Sequence, residues 1–110
     1  MNWLGILAAL SGALAIGAGA FGAHGAADGA RDLLKTGGQY QLVHAVAALV
    51  AMGMAARGPG WLFVIGAALF AGSLYALAEG APRWFGAVTP VGGLLMIAGW
   101  VWLAWVLGRR

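Results

Sequence analysis

The 110-residue sequence predicts an all-α fold, an integral membrane four-helix bundle in a single domain, on three observations. Hydrophobic residues make up 63% of the chain and charged residues 8%, against about 25% charged in soluble domains. Four long apolar runs follow one another, and all charged side chains fall in the breaks between them or at the C-terminus. Mean hydropathy is +0.90. So few charges cannot give a compact globule a water-soluble skin, and disorder needs the opposite composition. The solvent of this protein is lipid.

The first helix is expected over 3–23, with Ser11 as its only polar side chain. Its 21 residues span about 31 Å, the thickness of a bilayer core. Met1-Asn2 lacks the basic start of a signal peptide, so the segment is read as a retained helix. The second run, 38–56, carries Gln39, Tyr40, Gln41 and His44 in its first two turns. The third, 61–78, has Ser73 and Tyr75, and the fourth, 88–107, ends at Gly108-Arg109-Arg110. With no water in the bilayer core, each run must be helical to satisfy its own backbone.

The breaks have their own chemistry. Arg57-Gly58-Pro59-Gly60 reads as a tight turn, and Glu79-Gly80-Ala81-Pro82-Arg83 as a helix stop. Thr89-Pro90 reads as an N-cap followed by proline at the first helical position. The longest break, 25–37, is a polar loop. Either it is solvated, or its Ala27, Ala30 and Leu34 form one side of a short helix in the headgroup plane.

Helices in lipid join by close packing. Gly12, Gly19 and Gly22 repeat on one face of the first helix, Gly72 lies in the third, and Gly92 and Gly99 stand two turns apart in the fourth. They are expected to pack the bundle, with an oligomer seam as the rival. The six tryptophans are expected as interfacial anchors.

Polar residues gather at one end of the four runs: His24, Tyr40, Gln41, His44, Ser73, Tyr75, Glu79 and Thr89. They predict a polar vestibule on the side of the 25–37 loop, with both histidines and Gln41 in one cluster and Glu79 within reach of Arg83. Such a set can bind a headgroup, relay protons, or hold a metal or a b-type haem. Only three candidate metal ligands exist, and a histidine near a helix end is usually satisfied by a carbonyl or water. No metal, cofactor or catalytic residue is therefore assigned. No nucleophile elbow, H-E-x-x-H or Walker sequence occurs, Ser73 has no evident base except a histidine from another helix, and there is no cysteine. The six cations are scattered, which excludes a nucleic-acid surface.

The same residues carry a resemblance. Gly19-Ala20-Phe21-Gly22-Ala23-His24-Gly25 resembles the G-A-F-G-A-H-G signature of a small bacterial membrane family, and Thr36 to Ala45 is similar to its T-G-x-x-Y-Q-x-x-H-A stretch. Phe70 to Tyr75 matches F-x-G-S-L-Y, and Thr89 to Gly93 matches T-P-x-G-G. The family is domain of unknown function 423, also called the YgdD-like or transmembrane protein 256 family. The resemblance implies a four-span protein of the bacterial inner membrane and no established activity.

The expected function is non-enzymatic: the vestibule takes a lipid headgroup, small ligand or partner helix, in an accessory or assembly component. Membrane lipid and a homo-oligomer or larger assembly are its expected partners. The alternatives are a small oligomeric proton-linked carrier using His24, His44 and Glu79, and a haem or metal protein. Four spans put both termini on one side, with three Lys/Arg residues at each end of the bundle. Arg109-Arg110 abuts the last helix, whereas Arg31, Lys35 and Arg83 have acidic neighbours, which tips the expectation toward cytoplasmic termini.

Overall fold

The computed structural model describes residues 1–110 as four helices and no strand. They are α1 Trp3–His24, α2 Asp28–Gly53, α3 Arg57–Ala78 and α4 Val88–Gly108, with a 3₁₀ turn, Arg83–Ala87, before α4. Each helix packs on the next in sequence, and α1 also touches α3. The long axis of 47 Å exceeds a hydrocarbon core of about 30 Å. Three segments are long and apolar enough to cross a membrane: Trp3–His24, Arg57–Ala78 and Arg83–Gly108. The helix α2 has the length but not the apolar composition, and it lies along the whole of α1. Asn2 Nδ2 donates to Met52 Sδ at one end (3.0 Å), and the Gly22 backbone meets Leu34 at the other.

The start of α2 corrects the expected second helix. It begins at Asp28 rather than residue 38, so the 25–37 segment is mostly the first turns of α2, neither a loop nor a separate helix. The reason lies in packing. A Cβ on Gly38 would stand 3.0 Å from the Ala15 carbonyl oxygen, and one on Gly37 would stand 2.7 Å from the Tyr75 ring. Each glycine costs a helix about 1 kcal/mol, and here that cost is offset by close approach to α1 and α3.

A similar correction applies to α3, which starts at Arg57 rather than residue 61. Pro59 sits in the first turn, where an N–H has no partner within the helix and its loss is harmless. The actual turn is Met54–Ala56, closed by Ala56 N–H to the Ala51 carbonyl (2.8 Å) and Ala55 N–H to the Met52 carbonyl (3.1 Å). The same paired closure ends α3, where Gly80 has φ +90°. Ala55 occupies the equivalent position at φ +61°, a conformation that disfavours any Cβ. Ala55→Gly is therefore expected to stabilise the protein by up to about 1 kcal/mol, read as a higher melting temperature in detergent. A lower one would mean that the loss of chain entropy outweighs the relieved strain.

Thr89 does not cap α4, which begins at Val88 without a side-chain cap. Among the packing glycines, Gly22, Gly92 and Gly99 are in tight contact and Gly12 in ordinary contact with Ala45. Gly19 and Gly72 correct the expectation, because a Cβ on either would meet open space. Next to Gly19 it is the missing Cβ of Gly38 that makes room for α2. Gly72 is exposed, on a face of α3 that turns away from its neighbours. The apolar core, with Leu4, Ala8, Ala48, Ala51, Phe63 and Leu103 among its members, fills the end that carries both termini.

Candidate functional site

Polar side chains meet in the middle of the bundle because small residues let the helices approach. Ser11 lies on the buried Ala8–Ala15 face of α1, and Gln41 and His44 follow Gly37 and Gly38 on the buried face of α2. Gln41 Nε2 donates to Ser11 Oγ (3.0 Å), and Tyr75 O–H donates to Gln41 Oε1 (2.7 Å). One amide thus ties α1, α2 and α3 through both of its ends.

His44 has its own partners. Its Nδ1 lies 2.7 Å from the Tyr40 carbonyl, and Trp100 Nε1–H donates to its Nε2 (3.0 Å). A carbonyl can only accept and an indole N–H can only donate. The proton must therefore sit on Nδ1, and the lone pair of Nε2 is occupied. The ring is neutral, with both nitrogens used, and it packs edge-on to Phe63 and Trp100. Metal or haem ligation through Nε2 would first have to break the Trp100 bond.

The last interior contact joins α3 to α4. Ser73 Oγ donates to the Phe70 carbonyl (2.8 Å), so the Thr89 hydroxyl donates to Ser73 Oγ. With these bonds made, every buried side-chain nitrogen and oxygen has a partner.

The remaining expected residues lie elsewhere. His24 is exposed at the end of α1. Gly22 packs on Leu34, so His24 is separated from His44 by some ten residues of α2, about 15 Å along the axis. The two histidines do not form one cluster with Gln41. Glu79 is exposed and unpaired; the single ion pair is Arg31–Asp28 (3.7 Å) on α2, so the expected Glu79–Arg83 pair does not form. Tyr40 contributes its carbonyl to His44 while its half-exposed ring packs on Phe70. Of the expected vestibule, Gln41, His44, Ser73, Tyr75 and Thr89 are thus engaged in internal bonds, while Tyr40 and His44 also edge a surface groove of about 500 Å³. No three of the His, Asp and Glu side chains come together as a metal set.

Two participants escaped sequence reasoning. Ser11 was visible as the lone polar group on a small-residue face, and that face was the signal. Trp100 stands in mid-helix, away from the interfacial position expected of the tryptophans. The largest surface groove holds no polar cluster. It is about 610 Å³, lined by Leu10, Ala13, Leu14, Gly17, Ala18 and Leu34, with Tyr75 at its edge.

Comparison with known proteins finds relatives that are named membrane proteins. Residues 18–93 match the family model described as protein of unknown function (DUF423). The chain is 40% identical to a UPF0382 membrane protein of Staphylococcus epidermidis over 106 residues, covering 87% of each chain. It is 38% identical to UPF0382 membrane protein YwdK of Bacillus subtilis over 108 residues, 87% of this chain and 88% of that one. It is 41% identical to UPF0382 inner membrane protein YgdD of Escherichia coli over 106 residues, 86% of this chain and 81% of that one. No solved structure matches it.

Proposed function

Because this chain belongs to the DUF423 family of membrane proteins, we propose that it is a non-catalytic accessory component of the bacterial inner membrane that acts by associating with other helices. The observation that carries this reading is the groove floored by Ala13, Gly17 and Ala18, where a Cβ on Gly17 meets nothing within 4 Å. Small residues turned outward in a membrane let a second backbone approach closely. The paired polar interior supports the same reading, since its hydrogen-bonding capacity serves the fold rather than a substrate. The occupant we propose is a second copy of this chain.

The test is mass by light scattering in mild detergent. The wild-type chain is expected above monomer mass, and Gly17→Leu is expected to reduce that mass while keeping the melting temperature. A monomeric wild type, or an unchanged Gly17→Leu assembly, overturns the reading. The carrier alternative requires His24, His44 and Glu79 to share a path, and His44 is held between Tyr40 and Trp100. Proteoliposomes are therefore expected to pass no proton current above the lipid background.

Cytoplasmic termini complete the proposal: with three Lys/Arg residues at each end, it rests on Arg109-Arg110 abutting the last helix and on the absence of acidic side chains beside them. A C-terminal reporter that fluoresces only in the cytoplasm is expected to be bright. Activity of a periplasm-specific reporter instead would reverse the orientation.

A further inference from the structure

The end of the bundle that carries both termini has three charged side chains, Arg57, Arg109 and Arg110, and the fold gathers them. They line one cavity of about 420 Å³, with Trp102, Val106 and Gly58 among its other walls. Asp28 and Asp32 belong to the start of α2 and Glu79 to the end of α3, so every acidic side chain lies at the far end. None of the three arginines makes an ion pair. Their contacts are with neutral groups: Arg57 Nη2 donates to Asn2 Oδ1 (3.4 Å), Arg110 Nη2 donates to the Met54 carbonyl (2.6 Å), and Arg109 lies 4.3 Å over the Trp105 ring. Each guanidinium has five N–H donors, so most of them are free for an anion.

The chemistry and the place together select the ligand. Guanidinium forks match the tetrahedral oxygens of a phosphate better than an ammonium does. The first turn of α3 has no side-chain cap at Ala56, which leaves backbone N–H groups beside the cavity, while the C-terminal end of α4 on its other wall carries the opposite dipole, so the anion's partners are the three guanidinium groups. The cavity also stands at the ends of α3 and α4, both long and apolar enough to cross a membrane. Beside it α4 exposes Val101 and Trp105, an apolar surface along which acyl chains can lie. The geometry points to a binding site for the phosphate of an anionic phospholipid, held by Arg57, Arg109 and Arg110 with Trp102 as an apolar wall. The site needs only one copy of the chain and is independent of the association proposed above.

Native mass spectrometry of the full chain from detergent, with phosphatidylglycerol or phosphatidylcholine added, tests this. Wild type is expected to retain phosphatidylglycerol over phosphatidylcholine by about tenfold. Arg57→Gln, Arg109→Gln and Arg110→Gln together are expected to bring the ratio to about one. Arg31→Gln with Lys35→Gln, at the other end, is expected to keep the wild-type ratio. Equal retention of the two lipids by wild type, or the same loss in both variants, overturns the site. Arg109→Gln alone leaves the Asn2 and Met54 contacts in place and guards against misfolding of the triple variant. It is expected to lower the ratio, and an unchanged ratio counts against the site. Inorganic phosphate at millimolar concentration is expected to leave the lipid adduct in place. Its displacement by phosphate would assign the site to the free anion instead of the lipid.

Discussion

Gly92→Leu is expected to destroy the folded bundle. A Cβ at residue 92 would stand 2.6 Å from the Gly66 carbonyl oxygen and 2.8 Å from the Phe70 Cα. Across the same crossing, a Cβ on Gly66 would stand 2.9 Å from the Gly92 carbonyl oxygen. These obstacles are backbone atoms, which cannot rotate out of the way as a side-chain tip can. Since α4 packs chiefly on α3 and the turn before it, a separation there releases the last helix from the bundle. Overpacking costs about 1–3 kcal/mol in ordinary cores and occasionally more, and a leucine against backbone belongs at the upper limit. The expected result is loss of a cooperative melt and of a monodisperse peak in detergent. Gly72→Leu adds the same bulk where a Cβ meets open space and is expected to melt like wild type. Equal behaviour of the two variants would show that the α3–α4 contact does not run through Gly66 and Gly92.

Gln41→Leu is expected to cost about 1–2 kcal/mol, between the average interhelical hydrogen bond in a membrane and the penalty for orphaned buried groups. The substitution preserves approximate volume but removes the acceptor of the Tyr75 hydroxyl and the donor to Ser11 at once. If those orphaned hydroxyls are the cause, Tyr75→Phe in the Gln41→Leu background should recover part of the loss. Removing both partners can be nearly neutral where removing one is not. The two single variants and the double variant form a cycle, read by thermal or denaturant unfolding. Strictly additive losses would mean that Gln41 and Tyr75 do not interact energetically, and that the amide is held by Ser11 alone.

Residue composition determined the class of this protein, because nine charged side chains in 110 residues leave lipid as the only compatible solvent. Four apolar runs determined four helices, since a backbone in hydrocarbon must satisfy itself, and Gly80 marked the end of α3 through a conformation that favours glycine. The boundaries at Asp28 and Arg57 were not legible. Gly37, Gly38 and Pro59 are local signals of a break, and only the neighbouring helices turn the two glycines into contact points. Polar residues could be listed from the sequence, but their partners could not. Ser11 meets Gln41 across 30 residues and His44 meets Trp100 across 56, and no local pattern encodes such distances. The tertiary structure alone decided that both nitrogens of His44 are taken, that His24 and Glu79 face outward, and that Arg57 shares one cavity with the C-terminal pair Arg109-Arg110. Local sequence dictates what a segment must do with its own backbone, whereas the partner of a side chain depends on the rotation and register of another helix.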